Sequence, residues 1–348
     1  METPVPIPLD LRKQQILKAV VSDYTRTGVP VGSHALAVHL ASWSSATIRN
    51  DLASLVDVGY LLQPHTSAGR VPSDLGYRYY VDFLMEEEAV PAAVRRQMDP
   101  FFAQLPAGLE ETLEMAARAL ALVTDAVSMV TAPRALGARL KHLDLISLES
   151  CHALLLLVLD GNLIRQHPIA LGRAGDQVEL SALADRLNTA LDGCEARDVP
   201  TIGVGADELA GSLWSEVVTA IAAVMASVDA GQDTLVVHDG VRNLLHQPEF
   251  GDVGRFREVL DLLEEERVLG EMLAAIESDH GTRIMIGRET GLEQLRQCSL
   301  VMTTYRVGAH RWGTLGVLGP TRMQYSQVAP RVRYVATRVG DSLSRTLG

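Results

Sequence analysis

The sequence predicts an α+β protein, because patterns typical of helices and of antiparallel strands occupy separate stretches of the chain. Short apolar runs bounded by turn residues lie within 142–171 and 282–318 and predict strands. The pair Asp160–Gly161, between two of these runs, is typical of a tight hairpin turn that joins antiparallel neighbours. Apolar residues recur at helical spacing in the segments 9–27, 73–88, 107–130, 179–192, 208–229, 253–277 and 328–346.

Length and composition narrow the class of protein. The 348 residues are 47% hydrophobic and 21% charged, which fits about two or three folded domains and excludes a disordered chain. The longest clean apolar run, Ala153–Leu159, is too short to cross a membrane, and the N-terminus lacks the pattern of a secretory signal. Three widely spaced cysteines, Cys151, Cys194 and Cys298, favour a reducing compartment. We therefore predict a cytoplasmic protein with no membrane partner.

Charge is distributed unevenly along the chain. The net charge is −12, yet residues 1–85 contain seven basic and seven acidic side chains and are neutral. An acidic protein binds DNA only through a local surface that escapes the bulk negative field. The neutral first quarter is the region where such a surface is expected.

The first helix of the N-terminal region is predicted over 9–27, where apolar residues recur on one face and Gly28 follows. Ser33 is the expected N-cap of a second helix that extends through Ala41. Ser44 or Ser45 is the expected N-cap of a third. The buried face of that third helix is predicted to consist of Ile48, Leu52, Leu55 and Val56.

A predicted hairpin follows the third helix, with a short strand over 60–63 and a turn-rich loop over 64–70. Three helices followed by a hairpin are typical of a winged helix-turn-helix, whose third helix enters the major groove. The alternative is an ordinary solvated helix with polar residues on its outer face. The outer face is predicted to present Ala46, Thr47, Arg49, Asn50 and Ala53.

The outer face carries side chains suited to a duplex. Arg49 can bind guanine or phosphate, and Asn50 can bind adenine with both amide atoms. Hydroxyl groups at the N-terminus of the helix can hold a phosphate with the help of the helix dipole, and Arg70 can reach a phosphate or the minor groove. The predicted DNA-binding residues are Ser44, Ser45, Thr47, Arg49, Asn50, His65, Thr66, Ser67 and Arg70.

Several motifs carry a resemblance to a known family. The N-terminal ones are Pro30–Ser33, Ser44–Leu52, Gly59–Leu61, Gln63–Pro72 and Gly76–Arg78. The C-terminal ones are Ile286–Glu289, Cys298–Leu300, Thr304–Gly308 and Gly313–Met323. Together they closely resemble the heat-inducible transcription repressor HrcA family of bacteria. The sequence departs from the family pattern between Ser33 and Ser44, which is about one residue shorter, and at His34, where a lysine is expected.

The resemblance implies a domain order. It implies a winged helix-turn-helix domain over 1–88, with a linker near 86–91, and a GAF-like α+β domain over 89–174 and 251–348. It also implies an inserted, mostly helical dimerisation segment over 175–250. The expected protein is a homodimer that binds an inverted-repeat operator, represses chaperone operons, and depends on temperature and on the GroE chaperonin for its activity.

Catalytic motifs are missing from the sequence. It contains no P-loop, HExxH or GxSxG pattern, and 203–208 departs from GxGxxG at its last position. The ten histidines form no convincing ligand set. We therefore predict no enzyme activity, no catalytic residues, no cofactor and no metal. Two alternatives remain: a ligand-sensing regulator whose GAF-like domain binds a small metabolite, and a partner-binding scaffold with a degenerate winged helix.

Overall fold

The computed structural model describes residues 7–65, 68–103, 108–135, 137, 139–149, 151–160, 163–201, 208–229, 235–274, 281–308 and 311–347. Within these ranges the chain forms groups of helices and groups of strands, and all the paired strands are antiparallel. The α+β class predicted from the sequence is confirmed.

The N-terminal unit, residues 7–84, consists of helices and one two-stranded hairpin. Its elements are α1 (Leu11–Thr27), α2 (Ser33–His39), α3 (Ser45–Asp57), β1 (Leu61–Leu62), β2 (Val71–Pro72) and α4 (Asp74–Tyr79), which continues as a π-helical turn over Tyr80–Leu84. Gly28 ends α1 with a left-handed backbone, at φ 68°. The apolar faces of α1 and α3 pack together around Ile16, Val20 and Ile48, which are fully buried.

The central unit contains a six-stranded sheet in the order β8-β3-β11-β10-β9, with β4 paired to the start of β11. Helices α6 and α12 cover one face, and α10 and α11 cover the other. Its helices are α5 (Ala92–Ala103), α6 (Leu109–Thr124), α9 (Val241–Leu245), α10 (Val253–Glu264), α11 (Glu266–Ala274) and α12 (Tyr325–Leu347). Its strands are β3 (Val127–Thr131), β4 (Arg134–Ala135), β8 (Val236–Asp239), β9 (Arg283–Ile286), β10 (Cys298–Val307) and β11 (Arg311–Pro320).

The third unit, residues 139–229, has a hydrophobic core of its own. A three-stranded sheet in the order β5-β6-β7 packs one face on two helices. The elements are β5 (Leu140–Glu149), β6 (His152–Leu159), β7 (Leu163–Ala170), α7 (Gln177–Leu191) and α8 (Glu208–Asp229). The sequence grouped 142–171 with the later strands, whereas the described residues of β5–β7 pair with one another and pack on the two helices. The division of the chain into domains stays a prediction.

The predicted helix over 107–130 is wrong at its C-terminal end. Helix α6 stops at Thr124, Asp125 has a left-handed backbone at φ 52°, and Val127–Thr131 forms β3. All five residues of β3 are buried. A buried strand carries no alternation of polar and apolar residues, so its apolar run continues the helical pattern without a visible break.

Smaller differences concern caps and breaks. Gly32, not Ser33, is the N-cap of α2, and Ser33 is its first helical residue. The helix that begins after Ser73 ends at Leu84, and the predicted helix over 253–277 is interrupted at Glu265. Helix α5 was not predicted. Gly161, Thr234 and residues 275–277, which belong to predicted elements, lie outside the described residues.

Candidate nucleic-acid interface

Helix α3 is fixed to the N-terminal unit by apolar contacts and one ion pair. Ile48, Leu52 and Leu55 face the core and are almost fully buried, as the spacing predicted. Asp51 is also buried, and it accepts hydrogen bonds from Arg12 of α1, with Nε–Oδ2 at 2.7 Å and the second contact at 3.2 Å. A bidentate ion pair of this kind restricts the relative orientation of α1 and α3 as well as their distance. The sequence analysis missed this pair, since its members lie 39 residues apart.

The N-terminus of α3 is ordered by hydroxyl groups. Ser44 is the N-cap, and its Oγ accepts from the backbone N–H of Thr47 at 3.1 Å, which confirms the predicted cap. The Ser44 and Thr47 hydroxyls lie 3.0 Å apart. The hydroxyl of Ser45 lies 3.1 Å from that of Ser33, which ties α2 to α3. The first turn of α3 therefore presents a compact group of hydroxyls beside the positive end of the helix dipole.

The outer face of α3 is open to solvent. Ala46, Arg49, Asn50 and Ala53 are exposed, and Thr47 is half-buried. The side chains of Arg49 and Asn50 make no hydrogen bond to another described residue. Small residues beside two long polar ones allow a close approach to a flat or grooved partner, because the alanines add no bulk between the helix backbone and that partner.

The hairpin loop next to α3 is anchored to the segment before α2. Strands β1 and β2 pair in antiparallel register, and the N–H of Arg70 donates to the Val31 oxygen at 2.8 Å. Val31 returns a hydrogen bond to the Arg70 oxygen at 2.9 Å. At Gly69 a Cβ would lie 2.5 Å from the carbonyl carbon of Val31, so the close approach requires glycine.

Two of the four DNA-binding residues predicted in this loop, His65 and Arg70, lie among the described residues. His65 is exposed, and Arg70 is half-buried, with Nη1 donating to the Ala68 oxygen at 3.2 Å. Thr66 and Ser67 lie outside the described residues. The structure therefore places the long polar side chains of α3 on its exposed face, and it fixes the stem of the loop to the segment before α2.

The part of the chain that the structure describes contains no group of three or more histidine, cysteine, aspartate or glutamate side chains placed to hold a metal ion. Burial raises the pKa of the Cys298 thiol to about 12, so this cysteine is a packed apolar group rather than a nucleophile. No described helix is long and apolar enough to cross a membrane.

Comparison with known proteins identifies the family. The family model described as the HrcA protein C-terminal domain matches residues 110–329, which is more than half of the chain. The chain belongs to the HrcA family. The family predicted from the sequence motifs is thereby confirmed.

Relatives across bacteria extend the match to nearly the whole chain. The heat-inducible transcription repressor HrcA of Herpetosiphon aurantiacus is 36% identical over 343 residues, covering 98% of this chain and 97% of the relative. The corresponding repressor of Nocardia farcinica is 35% identical over 337 residues, covering 96% of each. These relatives are named as transcription repressors and not as enzymes.

The fold of the chain is also that of a solved structure. A crystal structure described as that of a hypothetical protein superposes with a TM-score of 0.59 and is 22% identical to the HrcA chain. The alignment covers 97% of this chain and all of the other. At this identity the likeness concerns the fold alone.

Proposed function

We propose that this HrcA chain is a cytoplasmic, homodimeric repressor of heat-shock chaperone operons that binds an inverted-repeat operator. The N-terminal unit is then a winged helix-turn-helix, with α3 as the recognition helix and the β1–β2 loop as the wing. The observation that carries the proposal is the exposed outer face of α3, held by the Arg12–Asp51 pair, in a chain that belongs to a family of transcription repressors. A repressor of transcription acts on DNA, so DNA is the partner to test first.

The proposed DNA contacts divide into two kinds. Arg49 and Asn50 read base edges in the major groove. Contacts with phosphate come from the first turn of α3 and from the wing, and these set position rather than sequence preference. The phosphate-binding group consists of Ser44, Ser45, Thr47, His65, Thr66, Ser67 and Arg70.

Arg70→Ala tests the role of the wing. We expect binding to fall by a similar factor on the operator and on random DNA. The slope of log affinity against log salt becomes shallower by about 0.9 for each phosphate contact that is lost. The fold is preserved because the pairing with Val31 uses only backbone atoms. Gel shifts over a salt series measure the slope. Arg296→Ala, on the central unit, removes an exposed arginine of the same charge and serves as the control. A loss confined to the operator would contradict the phosphate role.

The proposed homodimer requires a surface that a second copy covers. The sheet β5–β7 buries one face on α7 and α8, and its other face is open and mostly apolar, with His142, Asp144 and Gln166 among its aliphatic side chains. Ile146, Leu148 and Ile164 are 40%, 53% and 55% exposed. The register places Leu154 opposite Ile146, and Val158 opposite Ile164, on this same face. An exposed apolar face rarely persists on a monomer, and an identical apolar face fits it.

We propose that this open face, formed by Ile146, Leu148, Leu154, Leu156, Val158 and Ile164, is the dimer contact. The dimerisation unit then combines β5–β7 with the part of the predicted segment 175–250 that ends with α8, because these strands share a core with α7 and α8. The rest of that segment contributes β8 and α9 to the central unit. The GAF-like domain would be the central unit, a six-stranded sheet between two layers of helices. A two-fold dimer presents two α3 helices, which matches an operator of two inverted half-sites.

We propose that repression depends on temperature, as the name of the family implies. We also propose that the GroE chaperonin maintains the active dimer. Heat would divert the chaperonin to unfolded proteins, and repression would then fall. Thermal unfolding followed with and without operator and chaperonin tests this part. A free dimer that stays folded and bound well above heat-shock temperature would contradict intrinsic heat sensing.

The decisive test of the main proposal is footprinting of the purified protein on regions upstream of the host's chaperone genes. We expect protection of two inverted half-sites on one side of the duplex, at low and at moderate salt. A protein that ignores every twofold-symmetric duplex at low salt, where phosphate contacts are strongest, would refute the proposal and favour a scaffold with a degenerate winged helix.

A second candidate function, ligand sensing, is favoured by one cleft. It has a volume of about 530 Å³ and lies between the C-terminal end of α1, the end of α6 and the start of α12. Arg331 lines it, and Nε of this arginine has no hydrogen-bond partner among the described residues. Its Nη1 donates to the Val123 oxygen and its Nη2 to Gln327. Burial lowers the pKa of Arg331, and a carboxylate or phosphate group in the cleft would supply a compensating negative charge. Citrate and inorganic phosphate are the probes, with the melting temperature and the operator affinity as readouts.

A further inference from the structure

Two of the family motifs contact each other across the molecule. Gly76–Arg78 lies in α4 of the N-terminal unit, and Ile286–Glu289 spans the last residue of β9 and the turn after it. Nε of Arg78 donates to Oε1 of Glu289 at 2.8 Å, and Nη2 donates to the other carboxylate oxygen. Neither the recognition helix nor the proposed dimer contact accounts for this pair, which joins residues 211 positions apart.

The donors and acceptors of the pair are arranged to fix its geometry. Arg78 also donates from Nη2 to the Ile284 oxygen at 2.6 Å and from Nη1 to Asp82 at 3.1 Å. The carboxylate of Glu289 accepts from the Ile286 N–H at 2.9 Å, which orients it before it meets the guanidinium. The side chains of Arg78 and Glu289 are 19% and 23% exposed, so water competes only in part.

A second contact lies beside the first. The backbone N–H of Arg288 donates to Asp74 at 3.3 Å. At Gly287, where φ is 53°, a Cβ would lie 2.4 Å from the Asp74 carboxylate, so α4 sits directly on the turn after β9. Next to these polar contacts Tyr77 packs edge-to-face on Tyr325, with ring centroids 6.0 Å apart. Two packed aromatic rings can slide past each other, whereas a planar bidentate ion pair allows its two side chains little rotation.

We propose that Arg78 and Glu289 are positioning residues that set the half-site spacing at which the dimer recognises its operator. This inference rests on the proposed function, because it requires two recognition helices in one dimer. The distance and angle between the two α3 helices are fixed only if each N-terminal unit is held against its central sheet. One inserted base pair moves a half-site by about 3.4 Å and rotates it by about 34–36°. A dimer with rigidly held N-terminal units therefore discriminates against a spacer of altered length, whereas a dimer with loosely held units does not.

The test compares binding to duplexes whose two half-sites are separated by the native spacer or by one or two base pairs more or fewer. A duplex with a single half-site is included. The variants are Glu289→Gln, which keeps an acceptor for the Ile286 N–H, and Arg78→Lys, which keeps the positive charge but cannot form a bidentate pair. Glu271→Gln is the matched control, since it removes the carboxylate of the exposed Arg267–Glu271 pair within α11.

We expect both variants to lose about five- to tenfold of the preference for the native spacer, which corresponds to the net loss of one typical hydrogen bond. Single half-site affinity should change by less than about twofold, because α3 and the wing are untouched. The control should behave as the parent protein. An unchanged spacer preference in folded variants would overturn the inference, and so would an equal loss on all duplexes, including the single half-site. If the parent protein bound no inverted repeat at all, the proposed function itself would fail.

Discussion

Leu156→Arg is expected to convert the proposed dimer into a folded monomer that no longer binds the proposed operator tightly. Leu156 lies at the middle of β6 on the open face of the three-stranded sheet, with Asp144 and Gln166 opposite it in the two neighbouring strands. In the monomer the new guanidinium meets water and the Asp144 carboxylate, so the sheet tolerates it. In a dimer joined through this face the two new charges would lose their contact with water, and burying a charge in this way costs several kcal/mol.

The effect on DNA binding is expected to be large because the proposed dimer would link two half-site contacts. Loss of that linkage weakens binding to the full operator by about 10²–10⁴-fold, while affinity for a single half-site stays the same. Light scattering after size-exclusion chromatography gives the oligomeric state, and gel shifts on both duplexes give the affinities. Val253→Arg, at a site that is 76% exposed on α10, is the control for an arginine added to an apolar surface residue. A variant that remains dimeric would show that another face joins the subunits.

Local patterns in the sequence were sufficient for the parts of the candidate site that depend on neighbours in the chain. The cap at Ser44, the buried face around Ile48 and Leu52, and the exposed side chains of Arg49 and Asn50 all follow from spacing within one helix. Family motifs then supplied an identity that periodicity alone did not provide, because a polar helix face is common on proteins that bind no DNA.

Contacts between distant segments were not predictable in the same way. The Arg12–Asp51 and Arg78–Glu289 pairs join residues 39 and 211 positions apart, and no local pattern marks either partner. Strand pairing is a related case: the strands β5, β6 and β7 form a sheet of their own that packs on α7 and α8, and no local pattern shows which strands of the chain pair. The sequence alone did not show that α7 and α8 cover only one face of that sheet and leave the other exposed.

Asn50→Ala is expected to reduce discrimination between the operator and random DNA by about 1–3 kcal/mol for each half-site, and by about twice that for the dimer. The amide of Asn50 is exposed and makes no hydrogen bond to another described group, so alanine removes a DNA contact without removing support for the fold. Alanine also suits a helix interior better than asparagine. The melting temperature of the free protein should therefore stay level or rise slightly.

The measurement pairs each protein with the operator, with random DNA of equal length, and with operators in which one adenine per half-site is replaced. If Asn50 reads that adenine, the variant loses affinity for the operator and becomes indifferent to the replaced base, while its binding to random DNA is unchanged. Arg70→Ala provides the contrast, since its loss is expected on every duplex. Equal losses for Asn50→Ala on the operator and on random DNA would mean that this side chain contacts the backbone, and the reading of bases would then rest on Arg49.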